Sequence, residues 1–181
     1  MKRPPTGSTF ELSKMTRAIF FQSVLARLND DVGTILSLIK EHNKTHPRKI
    51  GFWASIRMIL PIIEAVAYVN GESPQNFLGK YLAINTSHLT WDLFRHSLIH
   101  GDFIQHGKFQ DKEVSWGVLM FGEGHIIKSG YIAIDIITLY QQLRQYLESE
   151  IEKNDTTTIN VEVGVIYTKP EKEIREDFTK L

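Results

Sequence analysis

Apolar positions in this chain follow a helical period over the first hundred residues and a strand-like period over parts of the remainder. From Leu12 to His42, Met15, Ile19, Val24, Leu25, Leu28, Val32, Ile35, Leu36 and Ile39 recur at helical spacing and predict one long helix, bent near Asp30–Gly33. Asn43–Lys49 is polar and reads as a connector. Phe52–Val69 is apolar on nearly every side except at Ser55, Arg57 and Glu64, which marks a central, mostly buried helix kinked by Pro61. Arg57 and Glu64 share a face, and Glu64 is expected to pair with Arg57. Gly71-Glu72-Ser73-Pro74 then breaks the pattern, with Ser73 as an N-cap and Pro74 opening a short helix to Ile84. Asn85–His100 is the next helix, capped somewhere within Asn85–Ser87.

After Gly107 the period changes. Val114–Phe121 and His125–Ser129 flank Gly122-Glu123-Gly124, so residues 114–129 predict a β-hairpin with a three-residue loop. Asp135 caps a helix whose apolar face is Ile136, Tyr140, Leu143, Leu147 and Ile151. Thr157–Thr168 alternates, with Ile159, Val161, Val163, Val165 and Tyr167 on one side, and predicts a half-buried strand free to join the hairpin. The ends, Met1–Ser8 and the charged stretch 169–181, are expected to be flexible. The fold class is therefore mainly α with a small antiparallel β hairpin or sheet in the C-terminal half, one domain over residues 1–168.

Composition narrows this picture. A chain of 181 residues with 42% apolar and 23% charged side chains has the make-up of an ordinary globular domain with its own core. Twenty-one basic and 21 acidic residues cancel, so any contact with nucleic acid must come from a local patch. Lys44, His46, Arg48 and Lys49 form the one local basic cluster; a solvated loop is its plainer reading and RNA contact the other. Cysteine is absent, which excludes a disulfide framework, a thiolate zinc site and a cysteine nucleophile. The N-terminus lacks the apolar core of a signal peptide, and Met58–Val69 is too short to span a bilayer, so the expected location is cytoplasmic, with no membrane partner.

The candidate chemistry lies in Asn85–His100. On a helical wheel Asn85, His88, Asp92, Arg95, His96 and His100 fall within an arc of about 140°, opposite Trp91, Phe94 and Leu98. Leu89 and Ile99 interrupt the polar arc, which suggests a surface that meets something. Arg95-His96-Ser97-Leu98-Ile99-His100, ahead of Gly101, resembles the signature of the HEPN superfamily: an arginine, a polar residue, a short spacer, then a histidine. The resemblance covers one helix. It implies a HEPN-like helical bundle, a homodimer, and a metal-independent endoribonuclease in a toxin or defence role, with an RNA substrate and a cognate antitoxin or regulatory partner.

By that resemblance His100 is the general base, Arg95 the phosphate clamp, and His96 a positioning group or second proton carrier. Asp92, Glu64 and Arg57 are the binding or orienting residues around them; no metal and no cofactor is expected. The chemistry suits the residue types. Imidazole exchanges protons near neutral pH, and guanidinium presents a planar fork to phosphate oxygens. On one unbroken helix Arg95 and His100 diverge by about 140°, so a shared phosphate needs a composite site across a two-fold axis. The same residues admit other readings. Arg95 would pair with Asp92 or Glu64 in a purely structural role, and His100 would favour the helix C-terminus. The protein would then be a non-catalytic, nucleotide- or partner-binding HEPN-like protein. A third alternative is a metal-dependent hydrolase using Asp92, His96 and His100.

Overall fold

The computed structural model describes residues 9–100, 106–109, 112–128 and 130–164, with side chains at 15–95, 106–108, 112–128 and 130–159. In chain order the elements are β1 (Thr9–Thr16), α1 (Arg17–Arg27), a π-helical turn (Leu28–Gly33), α2 (Thr34–Thr45), α3 (Phe52–Val69), α4 (Pro74–Tyr81) and α5 (Ser87–His100). They continue with β2 (His106–Phe109), β3 (Lys112–Leu119), β4 (Ile126–Lys128), β5 (Tyr131–Asp135), α6 (Ile136–Glu152) and β6 (Thr158–Gly164). Among the described residues the fold is mainly helical, as the periodicity predicts.

The expected long first helix starts later, at Arg17, because the segment before it is a strand. Thr16 closes β1 and caps α1, its Oγ1 accepting from the Ile19 N–H at 3.3 Å. The anticipated bend is the π-helical turn at Leu28–Gly33, which keeps Leu28 and Val32 buried while the chain passes into α2. Ser73 caps α4 through the Asn76 N–H, with Pro74 at its first position, and the helix ends at Tyr81.

α3 runs through the middle of the core, with Ile56, Ile59, Leu60, Ile63, Val66 and Ala67 buried. It is long and apolar enough by composition to cross a membrane, yet its apolar face is spent on the packing of this chain. The expectation of burial on nearly every side fails along one stripe, since Ala54, Arg57, Pro61, Glu64, Ala65 and Tyr68 are exposed. Pro61 sits in that stripe, so the carbonyl it deprives of a partner, that of Arg57, lies on the solvent side.

The β structure differs from expectation. β3 and β4 do not form a hairpin; the sheet order is β2-β3-β5-β4, with β3 parallel to β5 and the other pairs antiparallel. β5 takes the place between them because Ile132, Ala133 and Ile134 are all buried, and a strand covered on both faces belongs inside a sheet. The 157–168 strand also finds a different partner. As β6 it pairs antiparallel with β1, from Thr9↔Gly164 to Thr16↔Thr158, in a separate two-stranded sheet. Residues 165–168 and the 169–181 tail lie outside the described residues, as do Met1–Ser8.

Candidate functional site

α5 is built so that one face cannot avoid the core. Thr86 supplies the first helical carbonyl, accepting from the Thr90 N–H at 2.8 Å, and its hydroxyl meets that of Thr90 at 3.1 Å. Ser87 is buried against Gly79 of α4, where an added Cβ would come within 3.0 Å of the serine hydroxyl. Trp91 and Phe94 are buried, and the Phe94 ring lies 5.8 Å from that of Trp53 on the first turn of α3. This contact sets the second half of α5 against the start of α3.

The opposite face of α5 presents His88, Asp92 and Arg95, all exposed. The polar arc is thus a real surface as far as Arg95. Leu89, which interrupts the arc, is half-buried and packs on this chain's own core, so its apolar character needs no second subunit. Ion pairs of Arg95 with Asp92 or Glu64 are not formed among the described residues, although all three side chains are exposed. Glu64 does not pair with Arg57 either; both stand in the exposed stripe of α3, and Arg57 has a partner elsewhere. The backbones of His96 and His100 complete α5, but the side chains of both lie outside the described residues, as does Gly101. Among the described residues no three His, Asp or Glu side chains are grouped to hold a metal.

Three arrangements were not legible in the sequence. The first centres on Asp135, fully buried where β5 becomes α6. One carboxylate oxygen accepts from the Thr138 N–H at 2.9 Å, the expected cap. The other accepts from the N–H groups of Phe121 and Gly122 at 2.8 and 2.9 Å, holding the Gly122-Glu123-Gly124 loop over the start of α6. His125 completes the knot: its Nδ1 accepts from the Asp135 N–H at 3.1 Å and its Nε2 lies 3.2 Å from Gln142 Oε1. That pattern requires the neutral ring with its proton on Nε2. Burial holds the His125 pKa below its ordinary value.

The second is Arg17. Its guanidinium donates to the Val69 carbonyl at 2.7 Å and to Asn70 Oδ1 at 2.8 Å, and it approaches Glu150 at 3.5 Å and Asp155 at 3.3 Å. Asn70 in turn donates to the Tyr146 hydroxyl at 2.7 Å, and burial pushes that phenol's pKa up. The third is an open cleft of about 400 Å³ between the π-helical turn and α6, where the Tyr140 hydroxyl donates to Asn29 Oδ1 at 2.8 Å. The Arg17 junction is a structural joint by its bonding: its guanidinium, the Asn70 amide and the Glu150 carboxylate are all spent on neighbours within the chain.

Compared with known families, with curated proteins and with solved structures, the chain finds no match in any of the three.

Proposed function

We propose that this protein is a HEPN-type, metal-independent endoribonuclease that works as a cytoplasmic homodimer in a toxin or defence role. The observation that supports the reading is the exposed Arg95 guanidinium, standing with His88 and Asp92 on the free face of α5 and unpaired among the described residues. An arginine kept for an ion pair with Asp92 or Glu64 would be drawn to one of those carboxylates; among the described residues this one is not, which suits a guanidinium that receives a phosphate. In this reading Arg95 holds the scissile phosphate as its charge builds, and His100 takes the proton from the ribose 2′-OH. His96 positions the phosphate or passes a proton. The 2′-oxygen then attacks phosphorus, the 5′-oxygen leaves with a proton, and the products are a 2′,3′-cyclic phosphate and a 5′-hydroxyl. A second copy of α5 facing the first across a two-fold axis brings guanidinium and imidazole to one phosphate. Asp92, and Arg57 and Glu64 on the exposed stripe of α3, are the orienting groups. A cognate antitoxin would cover the same face.

The test is incubation of the purified protein with single-stranded RNA in excess EDTA. Cleavage survives chelation, Arg95→Ala and His100→Ala each reduce its rate by roughly 10²–10⁴-fold, and DNA of the same sequence stays intact for want of the 2′-OH. RNA that remains whole with folded protein overturns the catalytic reading in favour of nucleotide or partner binding. Cleavage that only added zinc or manganese restores would point to the metal-dependent alternative.

A further inference from the structure

The end of α2 and the connector to α3 carry a feature the nuclease reading does not use. The rings of His42 and His46 lie parallel, 4.0 Å apart with 9° between their planes. His46 is exposed, and Thr45 Oγ1 sits 3.0 Å from its Nδ1 and steadies the ring. The ten residues Lys40–Lys49 hold four cations, Lys40, Lys44, Arg48 and Lys49, against the single carboxylate of Glu41; Lys44 pairs with Glu41 at 2.8 Å and Lys40 lines the cleft facing Tyr140 and Gln141, so exposed Arg48 is the cation that follows the ring pair. Four minus one leaves +3 here, so the rest of a chain that is neutral overall carries −3.

The connector is not a loose loop. The Asn43 amide both donates to the Ile50 carbonyl at 3.1 Å and accepts from the Ile50 N–H at 2.9 Å, closing it like a clasp. The Lys49 ammonium caps α2 on the carbonyls of Asn43 and His46. Gly51 turns the chain into α3 at φ +84°, with Ile39 pressed against it so closely that no side chain fits. A preformed surface loses little freedom on binding. It also lies near the proposed site, because Trp53, two residues past Gly51, packs on Phe94, the neighbour of Arg95.

We propose that this surface binds single-stranded RNA, with a base stacked on the exposed His46 ring and the neighbouring phosphate against Arg48. An exposed stacked ring followed closely by an arginine matches a strand with unpaired bases. An acidic peptide would use the charge and leave the ring pair without a role, and a duplex hides the faces of its bases. The choice of RNA rests on the reading of α5; the surface itself extends that site to a flanking nucleotide.

The experiment follows the fluorescence anisotropy of a labelled 12-nucleotide single-stranded RNA in EDTA, with His100→Ala protein so that the probe stays intact. Saturable binding is expected. His46→Ala weakens it about tenfold, the scale of one lost stack, and His46→Phe restores it. Arg48→Ala weakens binding to every sequence and lowers the salt dependence by about 0.7 in log–log slope, the value of one phosphate contact on a single strand. No binding, unchanged affinity in both the His46→Ala and Arg48→Ala proteins, or equal binding of a glutamate 12-mer or of duplex RNA overturns the proposal. The two readings fail separately: unimpaired cleavage and binding in the connector variants removes only this surface. Binding that obeys these rules in a protein that never cuts removes only the nuclease.

Discussion

Asp135 shows how much a single side chain settles here. It ends β5, starts α6 and holds the Phe121–Gly122 backbone, three duties performed by one buried carboxylate with three N–H donors. His125 depends on it in turn, because its Nδ1 must stay unprotonated to accept the Asp135 N–H. Protonation would turn that acceptor into a donor facing a donor. Burial places the folded pKa below the unfolded value of about 6.5. The unfolded chain therefore binds the proton more readily, and His125's contribution to stability is complete above about pH 6.5 and lost as pH falls through the folded value. Urea midpoints measured at pH 7.5 and 5.5 should drop for the wild type. His125→Asn keeps an acceptor and cannot titrate, so its drop should be smaller. Equal drops would show that the ring does not sense the proton.

At the scale of elements, the π-helical turn is the least expected piece. It absorbs the bend between α1 and α2, and its fit depends on Gly33, where a Cβ would stand 2.8 Å from the Tyr140 hydroxyl. Gly33→Ala should therefore displace Tyr140, break its bond to Asn29 and cost about 1–2 kcal/mol. Tyr140→Phe removes both the hydroxyl that clashes and the bond that is lost, at about 1 kcal/mol. The double variant should cost less than the sum of the two, which chemical denaturation of all four proteins would show. Strict additivity would mean that the turn tolerates a methyl group without touching Tyr140.

Across the whole molecule, Arg17 joins the ends of three helices. It sits at the start of α1, bonds the end of α3 at Val69 and Asn70, and faces Glu150 near the end of α6. The backbone beside it is tied as well, since the Arg17 and Ala18 N–H groups donate to the carbonyls of Thr157 and Asp155 just before β6. The β1–β6 pair is thereby docked at one end of the helical body. Removing the guanidinium leaves Glu150, itself buried, with less compensation, so Arg17→Ala should cost about 2–4 kcal/mol. Arg144→Ala, which breaks an exposed pair with Glu148, should cost far less. Thermal or urea unfolding of both proteins separates the two, and similar small losses would mean that the Arg17 junction does not hold the ends together.

Most of the helical body could be read from the sequence, because the information there is local. Trp91 and Phe94 turned inward and His88, Asp92 and Arg95 outward follow from a 3.6-residue period, and the caps at Ser73 and Asp135 follow from one side chain meeting N–H groups within the next turn. The strands beyond α5 carried no such guarantee. A strand's own alternation says which way its side chains point and nothing about which segment lies beside it. Burial of Ile132–Ile134 put β5 between β3 and β4, and β6 found its partner in Thr9–Thr16, nearly the whole chain away. The stacked His42–His46 pair and an Arg95 left unpaired among the described residues likewise appeared only in three dimensions. Spacing lets two groups meet; whether they do depends on what else competes for each of them.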